Sequence, residues 1–104
     1  MIPTSVRIFV CTERQDMRRS FDGLALAVKE RLELDPQSGA LFVFVNKRGN
    51  RLKVLWFERH GYCLLYKRLN KARFALPDRD TIDARTLAEV LRGVPTETAR
   101  AIRS

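Results

Sequence analysis

Histidine and cysteine are scarce in this 104-residue chain: His60 stands alone, and Cys11 and Cys63 are the two thiols. Zinc sites draw on three or four such ligands, usually with a C-x-x-C pair, so no metal or other cofactor is expected. Long apolar runs are also missing. The longest, Ala40 to Val45, falls far short of the roughly 20 residues of a membrane span. Met1-Ile2-Pro3-Thr4-Ser5 shows no basic start followed by an apolar stretch, so no signal peptide is visible. The expected setting is a reducing cytoplasm with both thiols free. A Cys11–Cys63 disulfide is the alternative. Neither phosphate-binding glycine pattern, G-x-x-x-x-G-K-[ST] or G-x-G-x-x-G, occurs.

Catalytic constellations are thin. A Cys63–His60 dyad has the required residue types, since a nucleophile needs an adjacent base. However, Cys63 falls inside a predicted strand pointing into the sheet, and His60 reads as a solvated turn residue. Asp78, Asp80 and Asp83 lie in a loop leading to a helix, where carboxylates are ordinary caps that favour the positive end of the dipole. No enzyme is expected. The length suits one domain and excludes a self-contained multi-part enzyme. The 45% hydrophobic content is enough for a core and excludes a disordered basic tail.

Charge is abundant and unevenly spread. Twenty Lys and Arg against twelve Asp and Glu leave a net +8. Residues 1–40 balance at six and six, and residues 78–104 at five and five. Residues 41–77 hold nine basic groups against Glu58 alone. Self-repulsion of that kind costs stability and is best tolerated where a polyanion neutralises it. A solvated face that keeps the chain soluble is the plainer reading.

Hydrophobic patterning predicts the elements. Val6–Cys11 reads as a strand. Asp16–Arg19 reads as a capped turn. Ser20 is placed to cap a helix whose apolar stripe is Phe21, Leu24, Ala25, Val28 and Leu32. Gly23 within it permits close approach of another backbone or marks a later start. Leu41–Asn46 reads as a strand buried on both faces. Lys47–Asn50 is a hairpin turn. Arg51–Phe57 and Tyr62–Leu69 are further strands joined by Glu58–Gly61, and Phe74–Leu76 is a short fourth piece. Asp83 caps a helix over 84–92 with Leu87, Val90 and Leu91 inward and Gly93 as its stop. Pro95–Ser104 forms a short helix or frays.

The expected fold is α+β: a small antiparallel meander sheet of three to five strands, covered by an amphipathic helix, with a C-terminal helix. It forms one domain over 1–104. Strand plus helix occupy 1–40, the basic β-meander 41–77 and the helical segment 78–104. Lys53 and Lys67 are expected as near neighbours across strands, where a bridging anion relieves their repulsion. Trp56, Phe57, Tyr62 and Tyr66 lie among the cations. They either stack on exposed bases or build the core, with Trp56 favoured as core. No helix has the basic concentration of a major-groove reader, so phosphate contacts would dominate.

Val6–Val10 followed by Asp16–Leu24, then Ser38–Phe44, the basic turn to Asn50, Arg51–Phe57, Gly61–Leu69, Arg73-Phe74 and Pro77, together resemble the TnpB accessory proteins of insertion sequence 66 class elements. Two stretches depart from the pattern: the turn Glu58–Gly61, where an acidic, glycine-rich turn is the rule, and the tail after Gly93. The resemblance implies a non-catalytic accessory protein of a bacterial mobile element, working beside a separate transposase. The expected partners are that transposase and DNA at the transposon ends, with no membrane. The candidate nucleic-acid-binding residues are Lys47, Arg48, Arg51, Lys53, Lys67, Arg68, Lys71 and Arg73. The rival expectation is a protein-only adaptor that docks on the transposase through its helices without touching DNA.

Overall fold

β-branched and aromatic runs become strands wherever both sides of the pleat find apolar cover. In the computed structural model, which describes residues 5–96, this gives β1 (Ile8–Val10), α1 (Phe21–Ala27), β2 (Leu41–Val45), β3 (Arg51–Glu58), β4 (Gly61–Arg68), β5 (Ala72–Arg73), β6 (Thr81–Ile82), α2 (Ala84–Arg92) and β7 (Val94–Pro95). Five strands form one sheet in the order β4-β3-β2-β1-β6. The meander β2-β3-β4 is antiparallel, as its short turns require. β1 lies parallel to β2, because α1 carries the chain back across the sheet between them. The fold is α+β as expected.

β2 is buried along its whole length, and its alternate residues feed two separate cores. On one face, Ile8, Val10, Val43, Val45, Leu52 and Val54 pack with Leu87 and Val90 of α2. On the other, Phe42, Phe44, Leu55 and Cys11 pack with Leu24, Ala25, Ala27 and Val28. Fully burying a side chain such as Phe42 or Leu55 stabilises by about 1.5–3 kcal/mol relative to exposure.

Several local expectations are corrected. The Ser20 side chain makes no capping bond; its carbonyl accepts from Leu24 N at 2.9 Å. Phe21 lies off the buried stripe, 43% exposed, and Leu26 is 52% exposed. A Cβ on Gly23 would meet the Arg19 side chain rather than another backbone. After α1 the backbone widens into a π-helical turn over Val28–Leu32, ended by Glu33 at φ 55°. Phe74–Leu76 forms no strand. Phe74 is a buried core residue, and its neighbours Ala72–Arg73 pair instead with Val94–Pro95 in a two-stranded ribbon. The polar segment before α2 contains β6, which pairs antiparallel with β1 through Ile8 and Ile82. The β3–β4 loop is only Arg59-His60, since Glu58 already pairs with Gly61.

α2 is capped as expected: Asp83 accepts from Thr86 N at 2.8 Å, and Gly93 at φ 77° ends it. Any Cβ there would collide with Leu69. Thr86 holds the Asp83 carboxyl below its ordinary range by hydrogen bonding. Of the expected Pro95–Ser104 tail, Pro95 is in β7 and residues 97–104 lie outside the described residues.

Candidate nucleic-acid interface

Parallel strands deliver their C-terminal ends to the same end of a sheet. The segments leaving β1 and β2 therefore run side by side there. Cys11 N donates to Val43 O at 2.9 Å and Gln15 N to Val45 O at 3.0 Å. The β2–β3 turn is locked by Asn46, whose side-chain oxygen accepts from Asn50 N and Arg51 N at 3.1 and 3.0 Å. Gly49 supplies the positive φ of 73° that this turn needs. β4 ends at the same place, with Leu69 N donating to Asn50 O at 2.8 Å. The following segment returns to it, with Phe74 N donating to Gly49 O at 2.8 Å.

One end of the sheet thus collects cations from three segments. A cleft of about 500 Å³ opens between the β1–α1 loop and the β2–β3 turn, lined by Arg14, Arg18, Lys47, Arg48 and Arg51 with Gln15, Asp16 and Asn46. A shallower depression of about 200 Å³ continues from Arg51 to Tyr66 and Arg68. The Arg73 stem comes to 3.4 Å from where a Cβ on Gly49 would stand. Lys71 precedes β5 in the same returning segment, and its carbonyl holds Thr96.

The salt bridges among the described residues are Arg18–Asp16 at 2.6 Å and Arg31–Glu13 at 3.3 Å. None of Lys47, Arg48, Arg51, Arg68 or Arg73 is neutralised in this way. Asp16 is the acid of the cleft, and it is committed: the Arg18 guanidinium and backbone N–H hold its carboxyl down at about 2.

Lys53 and Lys67 do not join this group, and they are not neighbours. The register sets Lys53 opposite Tyr66, and Lys67 opposite Leu52. Their side chains therefore leave opposite faces of the sheet. Lys53 is 5% exposed. Its ammonium donates to Met17 O at 2.9 Å and Arg19 O at 2.7 Å and stands 4.7 Å from the Tyr66 ring centroid. It fastens the segment that leads into α1. Lys67 crosses the other face and donates to Leu91 O at 2.6 Å. There it satisfies an orphan carbonyl at the negative end of α2.

The aromatics divide. Trp56 is half-buried against the α2-side core, and its Nε1 donates to Glu58 at 3.3 Å. Phe57 and Tyr62 meet edge to face at 5.1 Å. Tyr66 is 47% exposed, and its hydroxyl accepts from Arg51 Nη1 at 2.9 Å.

The catalytic alternatives find no geometry among the described residues. His60 is exposed in its turn, and no hydrogen bond joins it to Cys63. Cys63 sits opposite Trp56. Cys11 and Cys63 are both free. β1 and β4 are three strand spacings apart, roughly 14 Å, which rules out the disulfide. No group of three His, Cys, Asp or Glu is arranged for a metal ion among the described residues. No helix among them is long and apolar enough to cross a membrane.

Sequence reasoning missed Arg14 and Arg18. Their signal was the strand order: had β1 been set parallel to β2, residues 12–18 would have fallen beside the basic turn.

A model of the family described as IS66 Orf2 like protein matches residues 6–101. The uncharacterized protein y4hO of Sinorhizobium fredii is 40% identical over 110 residues, covering 96% of this chain and 96% of that protein. The uncharacterized protein y4jC of the same organism is 38% identical over 72 residues, covering 69% of this chain and 62% of its own length. No solved structure matches the chain at a significant level.

Proposed function

This chain belongs to the IS66 Orf2-like family, and on that basis we propose that it is a non-catalytic accessory protein of insertion-sequence transposition, one that grips DNA backbone beside a separate transposase. One observation supports the DNA contact above the rest. Cations from three segments line one end of the sheet, and those of the β2–β3 turn have no carboxylate partner among the described residues. A polyanion removes the repulsion that this arrangement stores.

The contact set is Arg14, Lys47, Arg48, Arg51, Arg68 and Arg73, with Lys71 adjoining. It omits Arg18, which is paired with Asp16, Lys53, whose ammonium is spent on backbone carbonyls, and Lys67, which caps α2. About six phosphate contacts give a log–log salt slope near −5 on duplex DNA. A mobility-shift titration at low salt tests this. The double variant K47E/R48E should lose binding while keeping the far-UV circular dichroism of the wild type. Absence of any binding by the wild type at low salt would remove the DNA role.

A protein-only adaptor has an observation of its own. Phe21 and Leu26 are exposed on α1, and an apolar groove of about 420 Å³ runs between α2 and the sheet past Trp56, Leu65 and Leu91. Co-purification with the transposase that survives nuclease and high salt favours that reading, and K47E/R48E should then have little effect.

A further inference from the structure

The depression beside the cleft is built differently from the rest of the rim, and this difference bears on which form of DNA the interface takes. Resting on the backbone-binding reading above, we propose that the interface prefers single-stranded DNA, with Tyr66 as the platform on which one unpaired base stacks while Arg51 and Arg68 hold the phosphates on either side.

Tyr66 lies in β4, one of the two edge strands of the sheet, and it stays 47% exposed. The ring is held at two points. Arg51 donates to its hydroxyl at 2.9 Å, and the Lys53 ammonium stands 4.7 Å from its centroid. Lys53 stands over one face of the ring, and the 47% exposure of the residue leaves ring surface open to a base. A ring already held in place loses little conformational freedom when a base covers it. The register puts Arg51 directly opposite Arg68, on the same face of the sheet as Tyr66. The three side chains line one shallow depression, and Arg51 also lines the larger cleft. A strand whose phosphates follow the cations from Arg48 to Arg51 therefore brings a base over Tyr66. Duplex DNA has no base face to offer there, because its bases are stacked inside the helix. It gains the cations alone.

Fluorescence anisotropy with a labelled 12-nucleotide oligo(dT) and a labelled 12-base-pair duplex at one salt concentration tests the proposal. The wild type should bind the single strand more tightly. Y66L keeps bulk over Lys53 but has no aromatic face. It should weaken oligo(dT) binding roughly 5- to 100-fold, the span of one base–aromatic stack, with duplex affinity unchanged within about twofold of experimental scatter. Y66F keeps the face and should stay close to wild type on both, which separates stacking from loss of fold. Equal effects of Y66L on both nucleic acids, or no effect on either, overturns the platform and leaves backbone binding standing. If the wild type binds neither probe at low salt, the backbone reading fails and the platform with it.

Discussion

Replacing Lys53 by methionine tests the central structural assignment, because it keeps the apolar stem and removes only the ammonium. Two hydrogen bonds disappear, to Met17 O and Arg19 O. Bonds from a charged donor contribute about 1.5–3 kcal/mol each. The contact with the Tyr66 ring adds about 0.5–2 kcal/mol. Against this, the variant no longer dehydrates a charge, which in a protein interior costs several kcal/mol. Met17 is half-buried and Arg19 exposed, so water reaches part of the vacated space and softens the loss. The expected net destabilisation is about 2–3 kcal/mol, or a fall in Tm of roughly 10–20 °C at this chain length. Urea unfolding followed by far-UV circular dichroism measures it, with an unchanged slope showing that the unfolded state is the same. Hydrogen exchange should quicken first at residues 17–24, where the tether is lost. K53R should also destabilise, since a planar fork does not fit a site shaped for a point charge. K67M removes an exposed contact and should cost less than about 1 kcal/mol. A K53M protein within about 0.5 kcal/mol of wild type would refute the tether.

Three further outcomes are expected. Arg59 sits at φ 47° in the two-residue β3–β4 loop, so R59G should stabilise by about 0.5–1 kcal/mol, read as a higher urea midpoint. Asp16 has its folded pKa depressed to about 2, so the unfolded chain binds more protons. Its stabilising contribution is present above the ordinary carboxylate value and is lost as pH falls from there toward 2. Carboxyl NMR should show its midpoint near 2, and R18A should return it toward the ordinary range. Cys11 is buried with its thiol pKa raised by that burial, while Cys63 is half-buried. A thiol reagent should therefore modify Cys63 ahead of Cys11 in the native protein and both after unfolding.

The meander was legible because its signals agree. Leu41–Val45 is continuously apolar, the Asn46–Asn50 turn carries its own hydrogen-bonding side chains, and Leu52, Val54 and Trp56 alternate. α2 was legible from its cap and stop. The two-residue strands β5, β6 and β7 were not, because no periodicity exists over two residues. Lys53 misled because an aliphatic stem ending in a charge reads as solvent-facing. Only the cover supplied by the 16–20 segment, a tertiary fact, makes it an interior residue. The Lys53–Lys67 pairing failed on register. A two-residue loop puts Lys53 across from Tyr66, and one position of slip turns a side chain to the other face. The candidate site was half-legible: the basic turn announced itself, whereas Arg14 and Arg18 became visible only once β1 was parallel to β2.

The paired eight-residue strands β3 and β4 hold the Arg59-His60 tip about 27 Å from the basic turn. That span is some three Debye lengths at physiological ionic strength. On the backbone-binding proposal, nucleic acid would engage that one pole, out of reach of the far tip, and would meet the molecule end-on. That attitude would leave the flank beside α2 and the outward side of α1 around Leu26 facing away from the nucleic acid. A second protein would find them vacant without competing for a single phosphate.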